Sequence, residues 1–234
     1  MKKDKLFFFL LLLFQLVSVR YALSQRRKKV PIFAPFWPAV KADVTRIYGK
    51  YSPILLLKSL LIGGPFRAIF TMRLCQAVST LPAPLSLSLT LPCRILHYLA
   101  LQMTGMDIGW DCVIGPGVWI NHGWGLVTGH GIDKGGGISI GSNVTLFHGV
   151  TIGMQHKITA EGRVRLYPKI EDEVWIGPHA VVTGDVVIGR GSRIAPGTVV
   201  TGNVEPYSIV GGNPMRVIQT NALPDVMNPA DIFM

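Results

Sequence analysis

Six histidines are the residues of this chain best suited to proton chemistry: His97, His122, His130, His148, His156 and His179. An imidazole titrates near neutrality. With a carboxylate on its other nitrogen, it can take the proton from a hydroxyl that is about to attack a carbonyl. His122 lies in Ile120-Asn121-His122-Gly123-Trp124-Gly125, between small residues that leave its ring accessible. Asp107 stands 15 positions earlier. His148 follows Leu146 by two positions, as His122 follows Ile120. These two histidines and Asp107 form the candidate constellation, and the alternative is a surface histidine in a turn. His97 lies in an apolar stretch and reads as structural. His179 reads as solvent-facing, and His130 and His156 as weak acceptor-site candidates. Metal is the rival use of histidine. A trimeric zinc enzyme of the γ-carbonic anhydrase kind needs two histidines five residues apart with a third upstream, and no pair here has that spacing. No metal is expected.

What could place Asp107 beside His122 is a repeat. Aliphatic residues recur every six positions at Ile108, Ile114, Ile120 and Leu126, then at Ile140, Leu146 and Ile152. After a loop the beat resumes at Ile170, Ile176, Val182, Ile188, Ile194 and Val200. Six residues make one short strand and one turn, and three such units make a triangular coil, so inward residues stack 18 positions apart. Asp107 and His122 would then lie about one layer apart. The fold class expected is mainly β, a parallel β-helix of hexapeptide repeats preceded by an α-helical region. Two interruptions break the beat. The step from Leu126 to Ile140 is 14 rather than 12, and the loop 154–168 carries His156, Lys157, Arg163 and Arg165. Loops leaving a rigid scaffold are common binding sites.

Four segments are expected: 1–29, a hydrophobic and basic membrane-associating segment; 30–105, an α-helical region; 106–204, the β-helix catalytic domain; and 205–234, a C-terminal segment. Pro53 and Pro92 are placed at helix starts, and Gly63-Gly64-Pro65 is expected to break the helices. Charge is unevenly placed. Residues 1–105 hold 15 Lys/Arg against Asp4 and Asp43, whereas residues 106–234 hold 8 against 11 Asp/Glu. The basic half is also apolar: Leu6 to Val19 carries no charge, and Arg26-Arg27-Lys28-Lys29 follows. An anionic membrane leaflet fits this better than nucleic acid, for which no motif is present. Leu6 to Val19 is short for a span of roughly 20 residues. It reads as an uncleaved anchor on a cytoplasmic protein at the inner face of the cytoplasmic membrane. Cys75, Cys93 and Cys112 form no CxxC pair, and read as buried free thiols.

The stretches Gly105-Met106-Asp107-Ile108, Asn121-His122-Gly123, Leu146 to Gly153 and Gly211-Gly212-Asn213-Pro214 resemble the serine O-acetyltransferase family. The resemblance covers about residues 85–218. It implies a left-handed β-helix, a homotrimer with sites between neighbouring subunits, and acetyl-CoA as co-substrate. It also implies His122 as catalytic base with Asp107 as its partner. A CoA groove would run near Gly153, Ala180 and Thr198 toward Arg216, with Lys169 and Arg216 meeting the phosphates. This chain departs from the family in having Asn121-His122 for Asp-His, and Leu166-Tyr167-Pro168-Lys169 for Arg-His-Pro-Lys. The charged groups that would hold a zwitterionic amino acid are replaced. The preceding helices, with Pro65-Phe66-Arg67 and Met72-Arg73-Leu74, and His148-Gly149 resemble bacterial polysaccharide acetyltransferases, the colanic acid enzyme among them. The expectation drawn is an acetyl-CoA-dependent O-acetyltransferase acting on a sugar hydroxyl of a surface glycan or its precursor. Asn121, Trp124, His148 and Tyr167 would shape that acceptor site. The alternatives are a serine O-acetyltransferase of cysteine biosynthesis and a non-enzymatic β-helix scaffold at the membrane.

Overall fold

The computed structural model describes residues 34–129, 137–160 and 162–230. The membrane-associating segment expected at 1–29, and His130 with most of the first interruption, lie outside the described residues.

Four helices come first: α1 (Phe36–Tyr48), α2 (Pro53–Ile62), α3 (Gly64–Ser79) and α4 (Ala83–Thr104). Local chemistry sets their ends. The Ser52 hydroxyl accepts the Leu55 N–H at 3.2 Å, with Pro53 in the first turn of α2. Gly49 and Gly105 close α1 and α4 in the left-handed conformation, at φ 75° and 61°. At Gly63, α2 turns into α3 through 108°. Pro92 does not start a helix: it lies inside the 22-residue α4. A proline ring deprives the carbonyl four residues back of its donor. Here that residue is Ser88, which is exposed, so water can serve its carbonyl.

From Asp107 the chain winds as a triangular coil of three parallel sheets. One face stacks β1 (Asp107–Ile108), β4 (Val127–Thr128), β7 (Thr151–Gly153), β12 (Val181–Thr183) and β15 (Val199–Val200). The second face stacks β2 (Val113–Ile114), β5 (Ser139–Ile140), β10 (Lys169–Ile170) and β13 (Val187–Ile188). The third stacks β3 (Trp119–Asn121), β6 (Thr145–Phe147), β11 (Trp175–Ile176), β14 (Arg193–Ile194) and β16 (Ile209–Gly211). There the antiparallel β17 (Arg216–Gln219) ends the sheet. The coil therefore runs past 204, to Gly211. An antiparallel hairpin, β8 (Gln155–Thr159) and β9 (Gly162–Leu166), leaves it between the first and second faces.

All thirteen aliphatic positions of the six-residue beat are buried, at 7% exposure or less. A second inward ladder lies two positions before the strand residues: Cys112, Val118, Ile138, Val144, Val150, Val174, Ala180 and Val186 fill the corners of the triangle. The register refines the simple 18-residue picture. That spacing holds late in the coil, where Ile170 pairs with Ile188 and Ile176 with Ile194. Earlier, Ile108 pairs with Thr128, not Leu126, and Thr128 pairs with Ile152. Leu126 is a corner residue of the second ladder. From Ile120 to Thr128 is eight positions, whereas the equivalent steps from Leu146 to Ile152 and from Ile176 to Val182 are six. The two-residue slip therefore belongs to the corner that carries His122. One further hexapeptide is inserted between Thr128 and Ile140.

The helices are fastened to the second and third faces by buried polar contacts. Arg73 donates from Nε and Nη2 to the Asp43 carboxylate at 2.6 and 3.0 Å, and to the Ile114 and Gly115 carbonyls at 3.2 and 2.8 Å. Gly117 N–H donates to Asp43 at 2.9 Å. Burial pushes the Asp43 carboxyl up, and the Arg73 guanidinium pulls against it. Arg46, fully buried, lies over the Trp119 ring and donates to the Thr145 hydroxyl at 2.7 Å.

Candidate active site

The corner between the third and first faces holds a column of imidazoles. His122 follows β3, His148 follows β6 and His179 follows β11, each on the next layer of the coil. The His122 and His148 rings meet edge to face at 6.4 Å between centroids, and the His148 and His179 rings at 4.9 Å. His122 and His179 both take left-handed backbone, at φ 57° and 58°. In His122 this conformation is part of the lengthened corner, and it turns the side chain outward, where it is exposed. His148 is half-buried, and its Nδ1 has no hydrogen-bond partner. Gly149 makes room for the column: it has φ 67°, and a Cβ there would run into the His179 imidazole. His179, expected to face solvent, does so.

Asp107 opens β1 at the same corner, one layer below His122. Its peptide N–H donates to Leu126 O at 2.9 Å, and its side chain is exposed. The sequence expectation of proximity is met at the level of the layer, but no hydrogen bond joins Asp107 to His122 among the described residues. Trp124, exposed, lies against Gly105 at the end of α4.

His122, Asn121 and Trp124 line a cleft of about 380 Å³ between the helices and the third face. Its far wall is helical: Tyr48, Ser59, Gly63 and Met103 among others. Ser59 donates to Leu55 O at 2.9 Å, and its oxygen lies 3.3 Å from the Tyr48 hydroxyl. Sequence reasoning missed this wall, because nothing in α1, α2 or α4 marks residues that lie some 20 to 70 positions from His122.

The remaining expected residues separate into groups. Gly153 lies on the first face at the end of β7. Ala180 and Thr198 lie on the histidine corner, but both are fully buried, and Thr198 Oγ1 donates to Ala195 O at 2.7 Å. Neither is open to a ligand within one chain, and their backbone groups are hydrogen-bonded inside the coil. Lys169 is on the second face, paired with Glu171 at 3.3 Å, away from the histidines. Arg216 is exposed on β17. Tyr167 packs against the core at the foot of the hairpin, so within one chain it does not meet the His122 cleft. His156 is exposed on the hairpin. His97 is structural, as expected: Nε2–H donates to Ile108 O at 2.9 Å, and Nδ1 lies 2.9 Å from the Thr71 hydroxyl. Burial lowers its pKa. Cys75 and Cys112 are buried thiols pushed up to about 12 by desolvation, and Cys93 is half-buried. Among the described residues, no group of three His, Cys, Asp or Glu is placed to hold a metal ion.

Comparison with known proteins fits this geometry. The model of the bacterial transferase hexapeptide (six repeats) matches residues 167–202. The serine acetyltransferase of Bacillus licheniformis is 37% identical over 128 residues, which are 55% of this chain and 55% of that protein. That of Mycobacterium tuberculosis is 37% identical over 116 residues, 50% of this chain and 46% of its own length. The chain thus spans about half the length of the curated relatives it matches. Among solved structures, serine acetyltransferase from Brucella abortus in complex with coenzyme A superposes with a TM-score of 0.61 at 26% identity, covering 79% of this chain and 68% of that one. Soybean serine acetyltransferase complexed with serine gives a TM-score of 0.61 at 27% identity, covering 79% and 70%.

These findings correct the sugar acceptor expected from the sequence. The relatives and solved structures named here are serine acetyltransferases, and one holds serine. The glycan expectation rested on missing charges at Asn121 and at Leu166-Tyr167 together with the likeness of the helices and of His148-Gly149 to polysaccharide acetyltransferases. The structure takes the second of these charge positions away from the His122 cleft of its own chain. With its triangular coil, its helical preface and its repeat, the chain resembles the hexapeptide-repeat transferases, whose model matches residues 167–202.

Proposed function

We propose that the protein is an acetyl-CoA-dependent O-acetyltransferase whose acceptor is the hydroxyl of serine. The observation that carries this reading is His122, held outward by the lengthened corner at the mouth of a cleft between coil and helices. It is supported by the likeness to serine acetyltransferases solved with coenzyme A and with serine. In this reading the coil is left-handed, and the protein works as a homotrimer in which a neighbouring copy completes each site.

His122 takes the proton from the serine hydroxyl as its oxygen attacks the thioester carbonyl. Backbone N–H groups beside the thioester receive the oxyanion. The tetrahedral intermediate then collapses, the C–S bond breaks, and the imidazolium returns its proton to the departing thiolate. The products are O-acetylserine and CoA. Asp107 reaches across one layer to orient the ring and stabilise the imidazolium. His148 backs the His122 ring from the next layer. CoA lies along the histidine corner toward Gly211, and Arg216 meets a phosphate.

The test is an acceptor panel with the full chain: CoA thiol release from acetyl-CoA with L-serine, L-threonine, glycerol or water. Serine-dependent turnover well above the others supports the reading. Release equal to the water rate in every case refutes it.

A further inference from the structure

The helices carry a second surface that acetyl transfer does not use. Along α4, the exposed side chains Leu85, Leu89, Pro92, Leu96, Leu99 and Met103 recur at steps of three and four, which places them on one face of the helix. The buried side chains Ser86, His97, Ala100 and Thr104 lie about a quarter turn round the helix from this stripe. On α2, Ile54, Leu57, Leu61 and Ile62 are exposed too, at 56–78%. A stripe this long and apolar is unusual for an unpartnered surface. Its charge is one-sided. Asp43 is the only acid between residues 34 and 105, and it is buried against Arg73. Lys41, Lys50 and Lys58 are exposed on α1, on the turn after it and on α2.

We propose that this face of α2 and α4 docks on an anionic lipid surface. Apolar side chains entering the headgroup boundary, with lysines at their edge, are what such a surface selects. A second copy of the chain is the poorer occupant, because it would bring these cations against their like. The docking is flat, not spanning. Among the described residues no single helix is long and apolar enough to cross a membrane. The bent pair α2 and α3 passes by length and composition, but Phe66, Ile69, Met72 and Cys75 of α3 are buried within the protein. Ile62 and Met103 belong both to this face and to the rim of the His122 cleft, so the cleft opens beside the docked surface.

The test is flotation of the full chain with phosphatidylcholine vesicles, with and without phosphatidylglycerol. We expect the wild type to float with the anionic vesicles, less so in high salt, and far less with phosphatidylcholine alone. Leu89→Glu/Leu96→Glu/Leu99→Glu, which leaves residues 1–29 intact, should lower the bound fraction at least about tenfold at an unchanged circular dichroism spectrum. Leu57→Glu/Leu61→Glu on α2 provides the same reading if the α4 variant does not fold. Wild-type flotation in the folded variants would overturn the proposal. So would a drop in oligomeric state on sedimentation with flotation unchanged, which would make the face an interface between copies.

Discussion

The imidazole of His148 stands between those of His122 and His179, edge to face with both, at centroid distances of 6.4 and 4.9 Å. Its Nδ1 has no hydrogen-bond partner. A buried, unpaired nitrogen costs stability, so its retention needs a use. His148→Phe keeps a ring in the column and removes that nitrogen. The variant should melt within about 1 kcal/mol of the wild type, or above it, while kcat falls roughly tenfold or more with the loss of that nitrogen beside His122. Thermal melts and steady-state kinetics on the same preparation check both halves.

Asp43 and Arg73 couple the helices to the coil at a site where both are almost fully buried. Asp43→Asn leaves the guanidinium without a counter-charge and weakens the hydrogen bond from Gly117. Breaking one partner of a buried pair costs about 3–5 kcal/mol. Urea unfolding should show that loss, and Asp43→Ala should do no better.

His97 gives stability a pH dependence. Its folded pKa is lowered by burial, so below the ordinary histidine value of about 6.5 the unfolded chain binds the proton first. The contribution is fully present above that value and is lost as pH falls through the depressed one. Unfolding free energies measured from pH 7.5 down to 5 should fall more steeply in the wild type than in His97→Gln.

Much of the coil could be read from the chain. The thirteen aliphatic positions were legible because each points inward and is buried. The second ladder was not, because corners accept Cys, Val, Ala, Ser and Thr alike, and Ser192 and Thr198 hide the period. For the same reason Leu126 passed for a strand residue, although the strand position is Thr128. That misplacement put the slip after Leu126 rather than at His122. Of the site, the coil residues were legible from their offsets, whereas the helical wall at Tyr48 and Ser59 was not. Pro92 misled because proline reports what a helix loses locally, not whether solvent can make up the loss.

The histidine column also predicts a separable effect of Gly149→Ala. The new Cβ would push on the His179 ring from left-handed backbone, costing about 1 kcal/mol or more. Melts should show that loss, and the displaced column should lower kcat beyond what stability explains.

The central claim is that His122 removes the proton from the attacking hydroxyl. Its most direct measurement is the serine-dependent rate of CoA release by His122→Ala beside the wild type, with CoA affinity measured calorimetrically on both. A fall in kcat of about 10²–10⁴-fold with CoA binding unchanged is the predicted result. A wild-type rate in His122→Ala would contradict it.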